Sequence, residues 1–314
     1  MPLKHNFNCA VADDPADAAA GRILISHWNQ DHVISNGLDF PAESATAPAA
    51  DVVRMYGLKV CGKMQAAIRL SRTEESAWLQ QHLGRGRASL VSASVNASAF
   101  SVLGANSGVT TGTNTTANVS YTSKYSTFVR LDILQATAST TNIASWRYSG
   151  TAWARTTALS GFFAIFRGGV ATGASNTSSR FYMGMRNNVI SAPTDADPST
   201  TIQHVGFGWD STDANAQIMF NDGTGTSTKI DLGASWPVPV ADRSEFYELQ
   251  IYVPRGGTSV FVAVTELASG RSFATEITTD LFNVSVGPIM YASVGGVSDV
   301  TGLTFGLFYS EFFD

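Results

Sequence analysis

The sequence predicts a mainly β protein, a jelly-roll-like antiparallel β-sandwich preceded by a small N-terminal region with one short helix. Three observations predict it. From about residue 86 onward, apolar and polar residues alternate with period two. Gly- and Asp-rich turn signals divide that alternation into short runs. Neither a strand–helix–strand rhythm nor a long helical period interrupts them, so a two-sheet sandwich is the expected architecture.

The N-terminal region spans residues 1–84. Its segment 41–50, PAESATAPAA, is small and Pro/Ala-rich and reads as an exposed connector. Residues 51–70 suit strands or a helix equally. Ser71 with Glu74 then forms a capping-box pattern, in which the hydroxyl and the carboxylate satisfy each other's backbone N–H groups. Ala77, Trp78, Gln80, Gln81 and Leu83 continue as a helix expected over 72–83, and Gly84 supplies a left-handed stop.

The β-domain spans residues 85–314. Strands are expected at Phe162–Phe166, Arg180–Met185 and Gln203–Asp210. Gln217–Asn221 and Thr228–Leu232 face each other across Asp222-Gly223-Thr224-Gly225, a hairpin signal. Tyr247, Leu249, Ile251 and Val253 alternate with Phe246, Glu248, Gln250 and Tyr252, which assigns the first set to the core. After the turn Arg255-Gly256-Gly257, the residues Val260, Val262 and Val264 continue that inner face. Ala268-Ser269-Gly270 turns the chain toward Phe273, Thr275 and Ile277, and the chain ends on an aromatic strand from Leu303 to Phe313.

Composition narrows the function classes. The 314 residues are 44% hydrophobic but only 14% charged, so surface polarity must come largely from Ser, Thr, Asn and Gly. A net charge of −5 leaves no basic footprint for nucleic acid. Two cysteines, Cys9 and Cys61, make no disulfide framework and at most one bridge. The segment MPLKHNFNCAVADDP lacks the apolar run of a secretory signal, and no stretch approaches membrane-span length. Synthesis in a cytoplasm, without membrane insertion, is the expectation. The triplets at Asn96, Asn114, Asn118, Asn176 and Asn283 then read as chance in a Ser/Thr-rich chain.

The sequence carries no phosphate-binding loop, dinucleotide fingerprint, zinc-protease helix or nucleophile elbow. His27 and His32 sit five apart, about 140° around a helix, which is a poor chelating arrangement. No metal and no cofactor are expected. His204 lies opposite Val205, Phe207 and Trp209 on its strand and is expected to face solvent or a neighbouring chain. No particular serine is marked as a nucleophile. The carboxylate pairs Asp195/Asp197, Asp210/Asp213 and Glu245/Glu248 are the candidates for glycosidic chemistry. The first two lie in expected loops, where solvated turn-forming aspartates are the ordinary case. No catalytic residue is assigned. Trp146, Arg147, Tyr148 and Trp153 combine aromatic faces with a guanidinium, the combination that holds sugar rings. They are the candidate glycan contacts, against the alternative that both tryptophans pack into the sandwich.

The segment Ser26-His27-Trp28-Asn29-Gln30-Asp31-His32-Val33-Ile34 resembles a W-N-x-D-H-V motif near the N-termini of tailed-bacteriophage virion proteins of the tail- and head-fibre type. Gly57–Leu83 resembles a module that often follows it. Val205–Asp210, Ala216–Gly223, Lys229–Gly233, Tyr247–Leu249 and Thr278–Leu281 are similar to the C-terminal β-domains of such proteins. The resemblance implies a non-enzymatic virion protein, a homotrimeric fibre or adaptor. His27, Trp28, Asn29, Asp31 and His32 would attach it to a tail, portal or capsid partner, with the β-domain turned outward toward host surface glycan. Alternatives are a capsid decoration without receptor function and a polysaccharide-degrading tailspike.

Overall fold

The computed structural model describes residues 54–60, 63–70, 74–77, 88–95, 97–103, 107–155, 161–200, 202–254 and 256–312. The chain divides into two compact units, Met1–His82 and Leu83–Asp314. The first contains an antiparallel sheet of β1 (Arg54–Val60), β2 (Lys63–Leu70) and β3 (Glu74–Ala77), in that order. Val60 pairs with Lys63 and Arg54 with Arg69, so the ambiguous 51–70 segment is a hairpin.

The helix expected over 72–83 is corrected by β3. Glu74 pairs with Leu70 and Ala77 with Ala67. Ladder bonds to an adjacent strand outweigh the few tenths of a kcal/mol per residue by which propensity favours a helix. The remainder of that segment, residues 78–83, lies outside the described residues.

The second unit is an antiparallel, jelly-roll-like sandwich of two sheets. The nine-stranded sheet runs in the order β17 (Ser272–Ile277), β16 (Val260–Glu266), β15 (Tyr247–Val253), β10 (Phe162–Thr172), β19 (Asp299–Phe312), β4 (Ala88–Ala93) and β5 (Phe100–Leu103). Beyond β10, the long β19 also pairs with β8 (Arg130–Ser139), which in turn pairs with β7 (Thr113–Ala117). The seven-stranded sheet runs β14 (Thr228–Asp231), β13 (Gln217–Asn221), β12 (His204–Trp209), β11 (Arg180–Arg186), β18 (Gly287–Ser293), β9 (Ile143–Arg147) and β6 (Val109–Thr111).

The period-two reading of the later strands holds residue by residue. Tyr247, Leu249, Ile251 and Val253 are buried while Glu248, Gln250 and Tyr252 are half-buried. Val260, Val262 and Val264 are buried on the next strand. The β13–β14 and β16–β17 hairpins form where expected. Rings from both sheets meet between them: Trp146 lies 4.7 Å from Phe305, and Phe207 4.7 Å from Tyr247. Such pairs contribute about 1 kcal/mol beyond their buried area. The Ser/Thr-rich stretch 88–147 also folds into strands, which its composition did not announce. Ladder pairing there joins it to the strongly apolar β18 and β19.

Candidate binding groove

The carboxylate pairs are tied into the fold. Arg180 donates from Nη1 to Asp195 at 2.6 Å and from Nε to Asp197 at 2.5 Å. Asp195 also accepts the N–H groups of Gly295 and Gly296, and Asp197 that of Ser211. Burial raises the Asp197 carboxyl, but the Ser211 N–H and Arg180 outweigh it and hold the pKa below its ordinary value. Lys229 bridges Asp210 at 3.0 Å and Asp213 at 2.6 Å. Ser199 bonds Asp210 through both N–H and hydroxyl. Glu245 accepts from Tyr247 and faces Arg271 at 3.3 Å, while Glu248 accepts from Arg167 and Gln250. In each pair the carboxylates face partners rather than an open cleft.

The bonds of Asp195, Asp197 and Ser199 strap residues 187–200 over the outer face of the seven-stranded sheet. Asn221 reaches the Thr200 carbonyl, and Val189 packs with Tyr182, Ile289 and Tyr291. The solvent-facing expectation for His204 is therefore corrected. It does lie on the face opposite Val205, Phe207 and Trp209, yet it is only 1% exposed. Its Nδ1 meets the Ile202 carbonyl at 2.5 Å, which requires a proton on Nδ1. Nε2 lies 3.0 Å from the Ser227 hydroxyl, whose single proton is shared between that nitrogen and the Phe220 carbonyl at 3.1 Å. Burial pushes the His204 pKa down to about 4, so the ring is neutral at pH 7. This is a serine–imidazole pair in a buried place, with Ser227 only 7% exposed.

The aromatic glycan candidates are also corrected. Trp146 and Trp153 are 0% and 2% exposed and belong to the inner core. Trp146 packs on Phe305 and Phe308, and Trp153 on Phe308 and Phe312. Tyr148 packs edge-on against Trp153 at 5.6 Å, and the buried Arg147 bonds Thr111. No stacking face is left for a sugar ring at the tryptophans. Period two decides this: Trp146 points inward between Ser145 and Arg147, and the Trp153–Val286 bridge carries the chain along the same sheet.

A groove opens instead on the outer face of the nine-stranded sheet. Along one edge, β19 pairs with β8 as far as Phe305↔Leu131 and with β4 from Leu307↔Ser92. Gly306 falls between the two partners and is the extra residue of a bulge against β10. There β4 and β8 part, leaving a space of about 450 Å³, within the range of small-molecule sites. Phe128 and Phe246 line it with Arg167 and the hydroxyl-bearing Ser92, Ser101 and Thr127. A Cβ on Gly306 would stand 2.6 Å from the Phe246 ring, so only glycine lets that ring pass beneath the bulge.

The wall formed by residues 125–129 is pinned from behind. Arg130 lies 5.1 Å over the Tyr125 ring and donates to the carbonyls of Ser126 and Phe128. The Tyr125 hydroxyl meets Thr304, which donates to Asp132, and Arg243 donates twice to the same carboxylate. Burial and the Asp132 charge push the Tyr125 pKa well up, so the phenol keeps its proton. Phe246 packs at a tilt against Phe128, with ring centres 5.2 Å apart, and edge-on against Tyr125 at 5.6 Å. Sequence alternation placed Phe246 on the outer face correctly but gave no hint of what covers it. The groove's other contributors lie far apart in the chain, and no local motif marks them.

His27, Trp28, Asn29, Asp31 and His32, with Cys9 and Cys61, lie outside the described residues. Among the described residues, no group of three or more His, Cys, Asp or Glu is placed to hold a metal ion. No helix there is long and apolar enough to cross a membrane.

No protein-family model matches the chain, and no curated protein does. Lectin II from Ulex europaeus is similar at 14% identity and a TM-score of 0.42, over 65% of this chain and 92% of its own. A protein of unknown function from Shewanella oneidensis MR-1 is similar at 11% identity and 0.45, over 77% and 96%. Arcelin-5, a lectin-like defense protein from Phaseolus vulgaris, is similar at 13% and 0.38, over 65% and 99%. The fold assignment rests on the strand pairing of this chain itself.

Proposed function

We propose that this chain is a non-enzymatic virion protein of a tailed bacteriophage, a homotrimeric fibre or adaptor whose sandwich binds host surface glycan. The observation that carries the binding reading is the groove at Gly306. It sets aromatic rings, hydroxyls and a guanidinium beside one another on an open sheet face. Sugar rings need this combination of an apolar surface and hydrogen-bonding groups. The acidic pairs that a polysaccharide-cleaving enzyme would use are engaged with arginine, lysine and backbone, which favours binding over catalysis. The virion reading rests on the resemblance at Ser26–Ile34, where Trp28, Asn29, Asp31 and His32 would form the attachment.

Glycan-array binding by the full-length protein tests the groove. Phe128→Ala is expected to remove binding and leave the melting temperature within a few degrees of the parent. Array binding unchanged in that variant would move the site elsewhere; no binding by the parent would favour a decoration protein without a receptor. Trp28→Ala is expected to lower incorporation into particles while the sandwich stays folded. Light scattering of the purified protein should give the mass of a trimer, and a monomer would sink that part.

A further inference from the structure

We infer that the groove takes an acidic sugar, a pyranose bearing a carboxylate, with Arg167 as its anion-binding residue. The inference rests on the glycan-binding reading and names its ligand class. Three observations point the same way. Among the described residues, Arg167 is the one charged residue lining the groove, and no carboxylate lines it. The lining therefore sets one fixed positive charge beside neutral hydroxyls, with no negative charge in the lining to repel a carboxylate. The guanidinium is also pre-oriented. Among the described residues its hydrogen bond runs from Nε to Glu248 at 2.7 Å, on the strand away from the groove. Glu248 is itself held through its other oxygen by Gln250 at 2.7 Å.

A guanidinium fixed through Nε keeps its two terminal nitrogens as a planar pair, the fork that binds a carboxylate bidentately. Arg167 retains 42% exposure of its side chain, so a ligand reaches it from solvent. The third observation is the bulge. Arg167 lies opposite Leu307, beside the unpaired Gly306, and the absence of a side chain there clears the approach. A ring lying over Phe128 would carry its carboxylate to Arg167, with hydroxyls directed to Ser92, Ser101 and Thr127. Glu248 tempers the attraction, so the site selects by geometry as well as by charge.

Titration of the full-length protein, followed by NMR, with methyl glucuronide and methyl galacturonide against methyl glucoside and methyl galactoside tests the inference. At least one uronide is expected to bind about tenfold more tightly than its neutral counterpart. Arg167→Gln should erase that preference, and Arg167→Lys, which keeps the charge without the fork, should recover only part of it. Equal binding of acid and neutral sugars would overturn the inference and leave the glycan-binding reading intact. A preference that survives in Arg167→Gln would also overturn it, by placing the anion site elsewhere. No binding of any of the four, with a glycan array that also stays blank, would remove the underlying reading together with the inference.

Discussion

The outer faces of the two sheets have opposite fates. On the seven-stranded sheet every residue of β12, β13 and β18 is buried, outward-facing ones included. On the nine-stranded sheet, β15 and β16 alternate buried with half-buried or exposed positions. The difference comes from residues 187–200, which cross the first face and are fastened by Arg180, Asp210 and Asn221. Among the described residues, no such strap crosses the Gly306 bulge, where the groove opens. On the covered face His204 is partnered by Ser227, while the Ser145 and Ser293 hydroxyls are sealed in with no hydrogen-bond partner among the described residues. On the open face, Arg167 keeps its terminal nitrogens for solvent or ligand. Cover makes polar residues structural, and openness keeps them available.

The sharpest way to break the comparison is one charge placed on each outer face. Met219 is fully buried on the outward side of β13. Met219→Asp should destabilise by about 4 kcal/mol, the cost of an unpaired buried charge together with lost packing. Thr265→Lys, on the outward side of β16 and opposite Glu248, should stay within about 0.5 kcal/mol. Urea unfolding of the two variants measures both, and equal losses would erase the distinction between the faces.

Protonation offers a gentler probe of the covered face. His204 has a folded pKa of about 4 against 6.5 for the unfolded chain, so the unfolded state binds its proton more readily. Its neutral form contributes fully above pH 6.5, and that contribution is lost as pH falls from 6.5 to 4. The expected loss is about 3 kcal/mol. Stability measured across that range should flatten by this amount in His204→Gln, and an unchanged slope would show that the ring is not held dry.

Cutting the strap's fastening should cost somewhat less. Arg180 is 12% exposed and Asp195 8%, so Arg180→Ala leaves a nearly buried carboxylate with only backbone donors. A loss of about 2–3 kcal/mol is expected, below the full cost for a completely buried pair because Asp197 is 41% exposed. Amide exchange should accelerate across residues 187–200 before it does in β15 or β16. Uniform acceleration would mean that the strap is not a separate unit. The smallest effect is expected on the open face, where Arg167→Gln should change stability by less than about 1 kcal/mol, the range of a solvent-screened ion pair.

Local periodicity determined much of this protein. The strands from Phe162 onward other than β18, the hairpin across Asp222–Gly225 and the inward set Tyr247, Leu249, Ile251, Val260, Val262 and Val264 were legible because side chains alternate every two residues. The same rule held His204 and Phe246 to their outward faces. What lies against an outward face is not a local property. Residues 187–200 carry ordinary turn formers, and only their closure onto Arg180 and Asn221 made His204 buried and the aspartates structural. The SWRYSGTAW segment fits either a sugar platform or a core strand by composition, and the opposing rings of Phe305, Phe308 and Phe312 chose the core. β3 displaced the expected helix because a neighbouring ladder was present. The groove needed β4, the turn before β8, β10 and β19 to meet around Gly306, residues scattered over more than two hundred positions. Alternation fixes the side of the sheet; only tertiary closure decides whether that side meets protein or water, because burial depends on chain segments remote in sequence.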